Sequence, residues 1–192
     1  MPRAEDEHAG FTNPLKVWKT LRRTHGPAFA ATPRSAAHPM PWPAGFDPRK
    51  NPIYVRNDIA IGAPASEVFR RIARATEWPS YYPNSADVRL EGGATELRQG
   101  TKFEWTTFGT RQRSEVTLHD PDRAIGWTAK GGGVRAFHRW ILEPAGDGRT
   151  LVVTEECQWG ITAKLSRALL NPTMHAGHEL WLERLKGVCE SR

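Results

Sequence analysis

The sequence predicts an α+β domain in which a curved antiparallel sheet of seven strands wraps one long C-terminal helix. Three observations predict it. Short β-type runs between residues 86 and 159 are separated only by turn signals, so successive strands pair as a meander. One earlier strand is followed by a short amphipathic helix. Near the C-terminus, Met174, His178, Trp181, Leu185 and Val188 recur at 4-3-4-3 spacing, the stripe of a helix with one buried side.

Taken from the start, residues 1–50 read as an extension. They hold +4 of the chain's net charge of +6 and eight of its fifteen prolines. The stretch from Gly26 to Pro48 is rich in Pro and Ala and offers little to offset its ordering entropy. One piece of it predicts a short helix near 14–25: Asn13 caps, Pro14 stands at the first helical position, and Gly26-Pro27 stops it. Leu15, Trp18 and Arg22 share a face there, a basic amphipathic pattern that would suit a membrane surface. About a dozen residues are marginal as an isolated helix, so loose docking on the chain's own domain is the blander expectation.

The folded domain is expected over 51–192. Ile53, Val55, Ile59 and Ile61 alternate as a strand, ended by Gly62-Ala63-Pro64. Val68, Phe69, Ile72 and Ala73 then form one face of a helix whose other face carries Arg70, Arg71 and Arg74. Trp78-Pro79-Ser80-Tyr81-Tyr82-Pro83 halts it in an aromatic elbow. Strands are predicted at 86–91, 101–108, 111–119, 123–130, 133–143 and 150–159. Two helical segments close the chain, Ile161 to Leu170 and Pro172 to Cys189, with a break at Asn171-Pro172.

Charge and composition exclude several functions. Beyond residue 50 the net charge is only +2, so no polyanion-binding surface and no nucleic-acid partner are expected. No apolar run is long enough to span a bilayer. Arg3 leads into Glu5, Asp6 and Glu7 rather than an apolar leader, and Cys157 and Cys189 are too few for a disulfide framework. A cytoplasmic location is the compositional expectation. Gly131-Gly132-Gly133 lies between two strands, a hairpin turn rather than a phosphate cradle. His175 and His178 are the only close histidine pair and no third ligand stands beside them in sequence, so no metal and no cofactor are expected.

Strand alternation identifies an inner face. Phe103 and Trp105 point together, as do Ile125, Trp127 and Ala129; Val134, Ala136, His138, Trp140 and Leu142 follow one phase. On 150–159 the apolar phase is Leu151, Val153, Cys157 and Trp159, which carries Glu155 inward. A bulge would instead bring in Glu156. His138, Glu155 and His178 are therefore the candidate acid/base or anchoring groups on otherwise apolar walls. A lone inward histidine more often satisfies a backbone carbonyl, and Glu155 could simply pair with an arginine. Tyr81, Tyr82, Phe103, Trp105, Trp127, Trp140, Trp159, Met174 and Trp181 are the expected ligand-binding lining.

Certain motifs carry a resemblance: Ile61-x-Ala63-Pro64-Ala65-x-x-Val68-Phe69, Trp78-Pro79-x-Tyr81-x-Pro83 and Ile125-x-Trp127. To these add His138-x-Trp140-x-Leu142-x-Pro144, and Gly148-x-Thr150-x-Val152 leading to Glu155-Glu156 and Gly160. In that order they resemble the SRPBCC (START-like) superfamily, nearest its polyketide cyclase/dehydrase and lipid transport branch, over Pro52 to Glu190. The resemblance implies a helix-grip fold around a ligand pocket. Its members range from lipid carriers and hormone receptors to aromatase/cyclases, so fold alone does not fix function. The tail and the Asn171-Pro172 break lie outside the family pattern.

The leading expectation is a module that binds a small hydrophobic molecule, lipid-like or polyketide-like, in a Trp-lined cavity. The alternative is a cofactor-independent polyketide cyclase/aromatase or dehydratase using the pocket acid/base residues. A third is membrane-surface or nucleic-acid binding through the tail.

Overall fold

The computed structural model describes residues 34–191. The helix expected near 14–25 lies outside the described residues. Seven antiparallel strands form one sheet in the order β1-β7-β6-β5-β4-β3-β2: β1 Ile53–Ile61, β2 Ser85–Leu90, β3 Lys102–Thr107, β4 Thr110–Asp120, β5 Ala124–Gly131, β6 Val134–Pro144 and β7 Thr150–Trp159. From β2 to β7 the chain is the expected meander, and β1 pairs back onto β7 from Ile53↔Gln158 to Ile61↔Thr150. Between β1 and β2 lie helix α1, Ala65–Ala73, and the elbow helix α2, Trp78–Tyr81. In α1, Val68, Phe69, Ile72 and Ala73 are buried as the periodicity requires.

The sheet curves around α4, Arg167–Glu190, which follows the short α3, Ile161–Leu165. A register shift between Val116 and Leu118 bends β4, and Gly126 lies opposite Leu118 on β5. A Cβ at Gly126 would stand 2.9 Å from the His138 carbonyl oxygen, so only glycine lets the two strands approach there. The core inside the curve is largely aromatic. Trp181 of α4 stacks on Tyr82 at 4.3 Å and meets Trp78 and Trp140 edge-on, each at 5.0 Å.

Two expectations differ from the structure. The break stands at Ser166 rather than Asn171-Pro172, and α4 runs through Pro172. Proline there removes the donor that Ala168 C=O would accept, but Ala168 is exposed on the helix's first turns and water can replace that bond. Residues 34–50 are also more than linker, because they lie as a strap over the outer face of β6 and β7. Trp42 and Phe46 pack on Tyr54, Phe137 and Cys157. Arg34 donates to the carbonyls of Pro48 and Asn51. Two aromatic anchors and a set of backbone hydrogen bonds offset the ordering entropy that composition alone says is unmet.

Beneath the strap, Arg139 and Glu155 form an ion pair at 2.7 Å with both side chains 0% exposed. Arg139 also donates to the carbonyls of Met40, Pro41 and His38, and its guanidinium lies 3.8 Å from the Trp42 ring. Glu155 accepts from the Tyr54 hydroxyl at 2.7 Å and the His38 amide at 2.8 Å.

Candidate functional site

A cavity of about 290 Å³ lies between the concave face of the sheet and α4. Register decides who faces it. His138 is paired with Glu156 across β6 and β7, and Arg139 with Glu155, so neighbouring residues on each strand serve opposite faces. Glu156, not Glu155, reaches the cavity; this corrects the alternation reading. The physical cause is the strap. It covers the outer face of β7, so Val153 and Cys157 are apolar there, while the inner face carries Thr154, Glu156 and Gln158.

Of the expected lining, Tyr82, Trp105, Trp127, Met174 and Trp181 border the cavity, together with His138 and His178. Phe103 and Trp140 lie in the aromatic core behind it. Tyr81 turns away and donates its hydroxyl to the Arg71 carbonyl at 3.2 Å. Trp159 is 55% exposed on the other face, beside Arg135, and is not part of the lining. Phe108, at the tip of the β3–β4 hairpin, borders the cavity and was not legible as a lining residue. Its amide donates to Asn84 Oδ1 at 2.8 Å, and Asn84 Nδ2 donates to the Tyr82 hydroxyl at 2.7 Å. Gly177 gives the Phe108 ring its room, since a Cβ there would stand 2.3 Å from it.

Three polar side chains converge on one wall of the cavity. The rings of His138 and His178 stack at 4.7 Å between centroids and 7° between planes. Glu156 Oε2 lies 3.3 Å from His178 Nε2 and 3.7 Å from His138 Nδ1. Two of the three are held from behind: Thr154 Oγ1 meets His138 Nε2 at 2.7 Å, and Gln158 Nε2 donates to Glu156 Oε1 at 2.6 Å. Among the described residues, His178 Nδ1 and Trp127 Nε1 are buried polar atoms without a hydrogen-bond partner. They are ready points of attachment for a polar group on a bound molecule.

Burial, reinforced by the neighbouring His178, pushes the His138 pKa well below 6.5, so this ring is uncharged at neutral pH. Burial and then His178 likewise lower His175 to about 4. Burial raises the Tyr82 hydroxyl pKa, and it stays protonated. The histidine shifts predict a pH dependence. Unfolding frees both rings to protonate near 6.5, so the unfolded state binds more protons below that pH and stability falls as pH falls. The thermal midpoint of the metal-free protein is expected to drop from pH 6.5 towards pH 4, and His175→Gln should flatten that slope. Melts at constant ionic strength measure it; an unchanged midpoint over that range contradicts the burial of these rings.

Fold and cavity together define a helix-grip domain: a seven-stranded antiparallel sheet closed over a long C-terminal helix, with an apolar chamber between them. The chain belongs to the polyketide cyclase/dehydrase and lipid transport family, whose model matches residues 52–190. Among solved structures it is similar to a hypothetical protein of Helicobacter pylori, at 25% identity and a TM-score of 0.72, over 84% of this chain and 100% of that one. It is also similar to the Zhui aromatase/cyclase of Streptomyces sp. R1128, at 18% identity and a TM-score of 0.60, over 71% and 93% of the two chains. A Thermus thermophilus protein aligns at 22% identity and a TM-score of 0.59, over 72% and 99%. No curated protein matches the chain. These likenesses support a hydrophobic-ligand-binding or cyclase role. No described helix is long and apolar enough to cross a membrane.

Proposed function

We propose that the chain binds a small, largely apolar molecule in this cavity and orients it by a polar group set against His138, Glu156 and His178. The observation that carries the reading is a largely apolar cavity bordered by several aromatic rings, on one wall of which His138, Glu156 and His178 converge. Its volume stands at the small end of ligand pockets, which run from about 300 to 1,000 Å³. A compact ring system or a short chain fits better than a two-tailed lipid. Native mass spectrometry of the protein purified from its own host tests this. One retained small molecule per chain is expected; apo protein that takes up no member of a panel of aromatic ketones and short-chain acids would contradict it.

The convergence of three titratable groups favours a second reading, a cyclase or dehydratase. An aldol-type closure needs a base to take a proton from carbon and an acid to deliver one to the carbonyl oxygen, and loss of water needs the same pair again. Glu156 and His178 stand together at the cavity, where Glu155 does not. With a poly-β-ketone thioester as probe, Glu156→Gln should then lower turnover by orders of magnitude while product binding is kept. A pure carrier shows no turnover to lose.

A further inference from the structure

We propose that His138, Glu156 and His178 form a binding site for one divalent transition-metal ion. Their potential ligand atoms lie within 4.8 Å of one another, and all three residues are buried. They come from β6, β7 and α4, so nothing in their sequence spacing reveals them.

The contrast between two adjacent carboxylates carries the argument. Glu155, on the outer face, has the Arg139 guanidinium at 2.7 Å. Glu156, on the inner face, is 6% exposed at the cavity wall, yet among the described residues its ion-pair partners are only the two imidazoles. Buried carboxylates are paired with a cation or coordinate one. Its one short hydrogen bond is from Gln158 to Oε1; of the imidazole contacts of Oε2, 3.3 Å to His178 Nε2 is long and 3.7 Å to His138 Nδ1 is beyond bonding range. His138 Nε2 is taken by Thr154, and its Nδ1 faces the same carboxylate oxygen.

Two of the three residues have the support that metal ligands require behind them, while His178 Nδ1 has no hydrogen-bond partner among the described residues. Thr154 fixes one ring nitrogen of His138 and leaves the other for a metal, and Gln158 holds Oε1 of Glu156 and leaves Oε2. Ligand atoms around a tetrahedral zinc stand about 3.3 Å apart, given bonds of about 2.0–2.1 Å. The 3.3 Å from Glu156 Oε2 to His178 Nε2 already fits, the 3.7 Å to His138 Nδ1 must close by about 0.4 Å, and the two rings must tilt out of their stack so that both nitrogens face one ion. Two nitrogens and one oxygen suit zinc, iron(II) or cobalt(II), and leave positions open towards the cavity. The site does not depend on the ligand reading, and its failure would leave the apolar chamber as a binding site.

The test uses the full chain, stripped with chelator and titrated with Co²⁺, followed by displacement with Zn²⁺. One equivalent is expected to bind tightly and produce a visible absorption band. Glu156→Gln and His178→Ala should weaken binding by at least about 100-fold, as first ligands. Thr154→Val, close in shape and fit to fold, should weaken it by about 10–100-fold, the usual cost of losing a supporting hydrogen bond. His175→Ala should leave binding intact. No one-to-one binding, or binding that survives unchanged in Glu156→Gln and Thr154→Val, overturns the proposal. Retention of an apolar molecule by the metal-stripped protein is a separate readout, so the two proposals can fail independently.

Discussion

Arg139→Ala is expected to destabilise the protein by about 3–5 kcal/mol, the range for stranding one member of a buried ion pair. It would leave the Glu155 carboxyl fully enclosed without its cation, and would remove the donor for three strap carbonyls. Tyr54 and the His38 amide cannot replace a guanidinium, because they supply hydrogen bonds without a charge. For a domain of this size each kcal/mol shifts the thermal midpoint by roughly 2–4 °C, so a fall of about 6–20 °C is expected. The pair Arg139→Met with Glu155→Leu should recover much of the loss, since it removes both charges together. Urea unfolding of both variants measures this. A loss below about 1 kcal/mol for Arg139→Ala, the level of an exposed pair, would mean that the strap does not seal the outer face.

Trp181→Ala should cost a similar 3–5 kcal/mol, through a different cause. Trp181 is buried at the centre of the aromatic core, stacked on Tyr82 and edge-on to Trp78, Trp140 and His138. Its removal leaves a void beside the existing cavity that rigid neighbouring rings cannot fill. Trp181→Phe keeps a ring against Tyr82 and should lose markedly less. Denaturant melts read both variants. Equal losses in the two would show that the stack is not what holds this part of the core.

Much of the architecture was legible because the cues are local. The turn signals placed the strands of the meander to within a few residues, and the 4-3-4-3 stripe marked the side of α4 that meets the sheet. The inner phase could be read on β3, β5 and β6, where Phe103, Trp105, Trp127, His138 and Trp140 all lie inside the curve. It failed on β7 because alternation assumes one wet face. The strap makes both faces of β7 dry, and the inner one is the more polar. Glu155 and Glu156 thus exchanged places, and Trp159 was drawn inward with them. The strap itself was obscured by composition: Trp42 and Phe46 sit among prolines and alanines that carry no periodicity. His138 and His178 were legible as inward polar groups, with Glu156 only as the alternative to Glu155, but that the three meet becomes visible only once β6, β7 and α4 have packed.

The central claim is that the chamber under α4 holds a small apolar molecule. A cavity-filling substitution tests it most directly. Ala136 and Ala129 are cross-strand partners that line the chamber, and a ring at position 136 would occupy it. The probe is 1-anilinonaphthalene-8-sulfonate, followed by energy transfer from the core tryptophans. Saturable one-to-one binding by the native chain is expected, with at least about a 30-fold loss in Ala136→Phe, roughly 2 kcal/mol, and the fold retained by circular dichroism. Equal affinity in both proteins would put the dye elsewhere and contradict the account.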